Sequence, residues 1–89
     1  MKLHRYWFQF ELTVHNPHPS GTVAGCGITA LNYEDALKIL QEHVFTQQKL
    51  PPICRVIEDV DIATLDPNHV RPNMGLPIKR GVWFPLGYD

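Results

Sequence analysis

A strict two-residue alternation near the start of the chain is the feature that most constrains its fold. Between residues 3 and 14, every second side chain is aromatic or aliphatic: Tyr6, Phe8, Phe10, Leu12 and Val14. The side chains between them are Arg5, Trp7, Gln9, Glu11 and Thr13. Successive side chains of a β-strand point to opposite faces of its sheet. The pattern therefore predicts a first strand that buries its aromatic face in a core.

A second strand is predicted directly after a turn. Prolines and a glycine in the segment 16–21 turn the chain, and residues 22–31 return as the second strand. Gly25 and Gly27 share one face of that strand. Glycines at this spacing indicate either a bulge or a large side chain packed closely on that face, and Trp7 is a candidate for it.

A helix is predicted between the second and third strands. Asn32 is a good N-cap residue, and Glu34 and Asp35 stand in the first turn, where the helix dipole favours acidic side chains. A stripe of side chains then recurs every three or four residues, namely Ala36, Leu37, Ile39, Leu40, His43 and Val44. We expect the helix from residue 33 to about residue 45, and residues 53–60 alternate again as a third strand.

These elements predict a single α+β domain over residues 1–89, in the order β-β-α-β, with one sheet packed by one main helix. A strand–helix–strand unit prefers a right-handed crossover between parallel strands, which puts the third strand beside the first and antiparallel to it. The predicted sheet order is 2-1-3. The second strand is then a free edge at which two copies of the chain can pair. The predicted core residues are Tyr6, Phe8, Phe10, Leu12, Ile28, Leu37, Leu40, Val44, Val56 and Ile57.

The last third of the chain is expected to be less regular. Asp66 is a good N-cap followed by proline, which predicts one helical turn through Val70. The segment 71–81 shows no hydrophobic period and is long for a loop in so small a domain, and residues 82–84 can form a short edge strand. Two compatible interpretations apply to this loop. It buries Met74, Leu76 and Ile78 on the open face of the sheet, and it presents its charges to a partner.

The loop supplies the main candidate site, which is a surface for a protein partner. Its cationic and amide side chains can bind an acidic surface, a phosphate or a carboxylate. A tryptophan left uncovered would contribute a large apolar contact to the same interface. The candidate partner-binding residues are Trp7, His69, Arg71, Asn73, Lys79, Arg80 and Trp83. A second hypothesis is a small enzyme or ligand-binding domain in which Asp66, His69 and Arg71 surround a pocket. No nucleophile accompanies them, so no catalytic residue is assigned.

Metal-binding patterns in the sequence are sparse. Glu58, Asp59 and Asp61 form an acidic cluster that can hold a hard cation such as Mg²⁺. The competing interpretation is a solvated strand end, paired with Lys79 or Arg80. The five histidines show no zinc-binding spacing. The sequence therefore predicts neither a metal nor another cofactor.

Composition excludes several functional classes. With 44% hydrophobic and 19% charged residues the chain is globular, and its net charge of −1 gives no field that attracts nucleic acid or anionic lipid. No apolar run approaches the ~20 residues of a membrane span. The N-terminal residues lack the apolar stretch of a secretory signal. We expect a cytoplasmic protein, with Cys26 and Cys54 as reduced, half-buried thiols.

Several segments also carry a resemblance to known proteins. They are YWF at 6–8, GCGITA at 25–30, YEDAL at 33–37, VIEDVDI at 56–62, PNMG at 72–75 and RGVWFP at 80–85. In these segments the chain resembles a set of small stand-alone bacterial proteins of unknown role. Its small, single-domain, cytosolic character is similar to immunity proteins of contact-dependent growth inhibition and related toxin systems. This similarity implies a non-catalytic protein that binds and neutralises a cognate toxin. Immunity proteins against nucleases tend to be clearly acidic, so the nearly neutral charge argues against a nuclease partner.

Overall fold

The computed structural model describes residues 2–11, 22, 25–46 and 48–88 of the chain. It contains four strands and one main helix: β1 (His4–Phe10), β2 (Cys26–Ala30), α1 (Tyr33–Ile39), β3 (Ile53–Glu58) and β4 (Gly81–Phe84). The predicted α+β architecture, with one sheet and one helix, is confirmed. The turn expected at 16–21 and the predicted core residue Leu12 lie outside the described residues.

The four strands form one antiparallel sheet in the order β3-β1-β2-β4. Tyr6 of β1 lies opposite Ile28 of β2 on one side and Glu58 of β3 on the other, so β1 is internal as predicted. The full order differs from the predicted 2-1-3 because β4 adds a strand beside β2. Ile28 pairs with Val82 of β4. The prediction that β2 is a free edge for a second copy of the chain is therefore wrong.

The helix begins and ends close to where its sequence signals place it. The side chain of Asn32 caps it, because Asn32 Oδ1 accepts a hydrogen bond from the backbone N–H of Asp35 at 2.8 Å. After Ile39 the helix continues as a π-helical turn, Leu40–Val44. The backbone N–H of Phe45 closes this turn on the carbonyl of Leu40. The helical segment thus matches the predicted span of 33 to about 45.

The first core lies between the helix and one face of the sheet. Its buried residues are Tyr6, Phe8, Cys26, Ile28, Ala30, Ala36, Ile39, Leu40, Val44, Phe45 and Val82. Phe10, Leu37 and Val56 pack against this core and are partly buried. The prediction that the aromatic face of β1 lies under the helix is confirmed. Burial of a large apolar side chain contributes roughly 1.5–3 kcal/mol, so this cluster stabilises the fold substantially.

A second core covers the opposite face of the sheet. Its buried residues are Trp7, Val60, Leu65, Val70, Trp83 and Phe84, with Ile57, Ile62 and Met74 packed against them. The chain after β3 therefore does cross the open face, as expected, but largely through other side chains. Met74 is half-buried there, whereas Leu76 and Ile78 are 71% and 76% exposed. The prediction that Leu76 and Ile78 are buried on the sheet is wrong.

Two tryptophan rings pack closely against Gly25 and Gly27, at the start of the second-strand region. A Cβ atom on Gly25 would lie 2.8 Å from Cζ2 of Trp7, and one on Gly27 would lie 2.5 Å from ring atoms of Trp83. The expectation of a large neighbour on this face is confirmed. Trp7 is that neighbour at Gly25, and Trp83 takes the role at Gly27. A side chain at either position would have to displace a ring or the strand.

The two cysteines have different surroundings. Both are free thiols, with Cys26 buried in the first core and Cys54 exposed on β3, so the prediction that both are half-buried is wrong. Burial raises the pKa of the Cys26 thiol to about 12. In the part of the chain that the structure describes, no helix combines the length and apolar character that crossing a membrane requires.

Candidate partner-binding surface

The segment 74–81, called the 74–81 loop below, is held to the rest of the protein at three points. Near its start, the backbone N–H of Gly75 donates to the carbonyl of Trp83 at 2.6 Å. In its middle, Thr29 Oγ1 on β2 donates to the carbonyl of Pro77 at 2.5 Å. At its end, Arg80 donates to the carboxylate of Asp35 on α1. The loop is therefore anchored to strand and helix along its length.

The loop nevertheless holds two large aliphatic side chains in water. Leu76 and Ile78 flank the anchored Pro77 and are the two most exposed large hydrophobic residues in the described part of the chain. A flexible loop would be able to fold such side chains back onto the protein. Hydrogen bonds to the backbone of Gly75 and Pro77 and from the side chain of Arg80 hold the loop in place, so these two side chains stay exposed. A fixed apolar projection of this kind is typical of a contact surface for another molecule.

A groove of about 500 Å³ lies between the loop and the helical segment. Ile39 and Val82 supply apolar parts of its lining, and Leu76 borders it. His43, Lys79 and Arg80 contribute nitrogen-bearing side chains. The groove thus offers an apolar surface with hydrogen-bond donors beside the exposed aliphatic side chains.

Arg80 is engaged within the protein rather than free for a partner. Its Nε donates to Asp35 Oδ2 at 2.9 Å, and a second hydrogen bond joins Nη2 to Oδ1. The hydrogen bond from Arg80 lowers the pKa of Asp35 from its ordinary value of 3.8 to about 2. The same contact raises the pKa of Arg80. Arg80 therefore fastens the loop to the helix, and Lys79, which is exposed, remains the cation of this loop that can meet a partner.

The predicted aromatic anchors are not on the surface. Trp7 and Trp83 are only 4% and 1% exposed, and their ring centroids lie 6.0 Å apart within the second core. Phe84 packs on the same ring of Trp7 at 5.5 Å. The interpretation of either tryptophan as a partner-binding residue is therefore wrong. The chain after β3 covers the face on which they lie.

The residues of the enzyme hypothesis do not meet in an enclosed cavity. Asp66, His69 and Arg71 are all exposed. Asp66 acts as a local cap, since its Oδ1 accepts from the N–H of Asn68 at 2.8 Å and its carbonyl accepts from the N–H of Val70 and of Arg71. These bonds form the predicted helical turn. A second groove includes Asp66 in its lining, but neither His69 nor Arg71.

Asn73 and His69 are joined by a structural contact. Asn73 Nδ2 donates to the backbone carbonyl of His69 at 2.7 Å, which closes the 3-10 turn Arg71–Asn73 onto the preceding turn. Both side chains are exposed. The contact is local and leaves the His69 ring outside any described hydrogen bond.

The acidic cluster is partnered by a histidine that the sequence analysis did not connect with it. Asp61 Oδ1 accepts from the N–H of Ala63 and caps a 3-10 turn. His4 Nδ1 lies 2.9 Å from Asp59 Oδ1 and 3.9 Å from Glu58 Oε1. The suggested pairing with Lys79 or Arg80 is not found among the described residues. The only signal in the sequence was the position of His4 at the start of a strand that pairs with the strand carrying Glu58.

The structure thus separates the predicted site residues into three groups. Lys79 lies on the displayed loop, and Arg80 fastens that loop. His69, Arg71 and Asn73 are exposed on the preceding turns, and the tryptophans are core. Leu76 and Ile78 were missed as surface residues because alternating aliphatic side chains in a sequence favour burial. Comparison of the chain with family models, with curated proteins and with solved structures gives no match.

Proposed function

We propose that this protein is a non-catalytic binding protein that uses the 74–81 loop to contact a protein partner, and that it acts in the cytoplasm as an immunity protein against a cognate toxin. The observation that carries the binding function is the display of Leu76 and Ile78 on an anchored loop. The immunity function rests on the resemblance of the chain to immunity proteins.

The form of the loop favours a protein partner over a small substrate. The two aliphatic side chains project outward, so they suit a complementary pocket on another surface. Ordering a loop on binding costs free energy, and the three anchoring contacts of this loop remove much of that cost beforehand. The adjacent groove, with Ile39 in its lining, can receive a side chain from the partner in return.

The net charge of the chain limits the class of toxin that we propose as its partner. A net charge of −1 does not give the chain the overall acidic character that immunity proteins against nucleases tend to have. We therefore propose a toxin other than a nuclease. Lys79 beside the exposed aliphatic side chains would favour a partner surface that is apolar with some acidic groups at its rim.

A pull-down from the native host with matched variants tests the binding proposal. The wild-type chain and Cys54→Asp, which places the same charge on exposed β3, are expected to recover a stoichiometric partner. Ile78→Asp is expected to recover at least tenfold less of this partner. A charge in the centre of an apolar contact loses its hydration and finds no opposite charge there. Circular dichroism and thermal melting check that all three fold. Failure to recover a partner, or equal recovery with Ile78→Asp, would contradict the proposal.

Growth assays test the immunity function separately. The recovered protein, expressed alone in a susceptible strain, is expected to stop growth, and co-expression of the wild-type chain is expected to restore it. Ile78→Asp should fail to restore growth and Cys54→Asp should succeed. If the recovered partner does not affect growth when expressed alone, the immunity function is contradicted, whereas the binding function still stands.

A further inference from the structure

The geometry points to a binding site for one divalent transition-metal ion, of which Zn²⁺ is the representative, formed by His4, Glu58 and Asp59. These residues lie at one end of the paired strands β1 and β3. The proposal is independent of the 74–81 loop and of its partner.

The three donor atoms lie close to the spacing that a shared ion requires. His4 Nδ1 lies 2.9 Å from Asp59 Oδ1 and 3.9 Å from Glu58 Oε1. All the donor atoms of the group lie within 4.8 Å of one another. Metal–ligand bonds of about 2.1 Å place neighbouring donors roughly 3.0–3.4 Å apart in octahedral or tetrahedral geometry. Small side-chain rotations would therefore bring all three donors onto one ion.

The sheet fixes the backbone that carries these donors. Tyr6 pairs with Glu58, which sets His4 diagonally across the strand pair from that carboxylate. Asp59 directly follows β3 and has a φ of 54°, a left-handed conformation that aspartate tolerates, and its carboxylate contacts His4. Beyond it, the N–H of Val60 donates to the carbonyl of Arg5 at 3.2 Å. Arg5 Nε returns a bond to the carbonyl of Val60 at 3.2 Å.

The donor set decides which ion is favoured. Imidazole nitrogen binds Zn²⁺, Ni²⁺ and Cu²⁺ well, whereas Mg²⁺ and Ca²⁺ prefer all-oxygen ligands. Two neighbouring carboxylates also carry more negative charge than one histidine balances, and a divalent ion neutralises them. The side chain of His4 is 25% exposed and those of Glu58 and Asp59 are 62% and 57% exposed, so an ion reaches the site directly from solvent.

Three protein ligands leave coordination positions open to water or to a ligand from a partner. The bound ion would tie the start of β1 to the end of β3 and so stabilise the pairing of these strands. The same three side chains can also form a simple ion pair when His4 is protonated. An experiment must therefore detect the metal itself.

Calorimetric titration of the full chain with ZnCl₂ at neutral pH provides the first test. We expect one Zn²⁺ to bind per chain, in the presence of a large excess of Mg²⁺. His4→Gln and Asp59→Asn should each weaken this binding at least tenfold, while His69→Gln, which removes an exposed histidine elsewhere, should bind like the wild type. Circular dichroism without metal confirms that each variant is folded.

Nuclear magnetic resonance with Co²⁺ provides a readout that an ion pair would not give. The imidazole resonances of His4 should be shifted or broadened at the lowest Co²⁺ additions, before those of His43 and His69. Zn²⁺ affinity that survives either substitution would assign binding to other donor groups of the chain, such as another histidine or the exposed thiol of Cys54, and would overturn the proposal. A His4 ring that does not respond to Co²⁺ would overturn it as well.

Discussion

The indole ring of Trp83 lies directly against the backbone of Gly27, where no side chain can be accommodated. A Cβ atom built on Gly27 would fall 2.5 Å from each of the Cε3, Cζ3 and Cη2 atoms of that ring. Gly27 pairs with Trp7 on one neighbouring strand and with Phe84 on the other. The absence of a side chain at Gly27 of β2 is therefore what allows the second core to pack against this face of the sheet.

Gly27→Ala is expected to destabilise the protein by about 1–3 kcal/mol, because an added methyl group must push the indole ring out of a packed core. Denaturant unfolding followed by circular dichroism measures the change. Gly75→Ala is the matched control, since a Cβ there would meet its nearest atom at 3.5 Å, an ordinary contact. Equal stabilities of the two variants would show that the ring moves aside without cost.

Phe8→Ala is expected to lower the free energy of unfolding by about 3 kcal/mol, since removing a buried aromatic ring leaves a cavity. Phe8 is fully buried in the first core. Such a loss is a large share of the stability of a domain this small. Leu76→Ala should change stability by no more than about 0.5 kcal/mol, because Leu76 is exposed. A melting curve for Phe8→Ala that overlays the wild type would contradict the core assignment.

The ion pair between Asp35 and Arg80 predicts a loss of stability in acid. The pKa of Asp35 is lowered from 3.8 to about 2 in the folded protein, so its ionised form favours folding above pH 4. This contribution should fall progressively as the pH drops from about 4 to 2. The difference in free energy of unfolding between wild type and Asp35→Asn should shrink over the same range.

Glu34→Gln is the control for this acid effect, because it removes an exposed carboxylate one residue away. Its stability difference from wild type should not follow the change seen for Asp35→Asn. The size of the effect is limited by solvent, since the Arg80 side chain is half exposed. A difference for Asp35→Asn that stays constant from pH 5 to pH 2 would contradict the role of the ion pair.

Thiol labelling should distinguish the two cysteines. Cys54 is exposed, whereas Cys26 is buried and its pKa is raised to about 12, which leaves almost no reactive thiolate at pH 8. We expect rapid modification of a single thiol in the native chain, and of both thiols in denaturant. Cys54→Ser should remove the native reaction. Labelling of native Cys54→Ser at a comparable rate would show that the first core opens readily.

Elements set by local chemistry were the most predictable parts of the fold. The alternation around Phe8 predicted which face of β1 enters the core, and Asn32 marked the start of the helix. Each of these signals lies within a few residues of the structure that it specifies. The neighbour relations of the first three strands followed from chain connectivity, which restricts how a strand, helix and strand can pack.

Relationships across long sequence separations were not predictable in the same way. The burial of Trp7 depends on which residues cover it, and Val60, Leu65 and Val70 do so from the segment after β3. Ile78 is exposed next to Pro77, whose carbonyl accepts a hydrogen bond from the distant Thr29, and no local sequence pattern indicates that bond. The partner of Asp59 is His4, which is 55 residues earlier in the chain. In part of the candidate site, residues predicted to be exposed are therefore buried, and residues predicted to be buried are exposed.

The pairing of β4 with β2 has a consequence for the newly made chain as it leaves the ribosome. Residues 4–58 can already form three strands and the helix, but one face of that sheet would expose Trp7 to water. Only after residues 81–84 emerge can Trp83 settle over Gly27 and complete the cover. Until then the nascent protein carries an unpaired strand edge beside an uncovered aromatic ring, which is the kind of surface that chaperones bind.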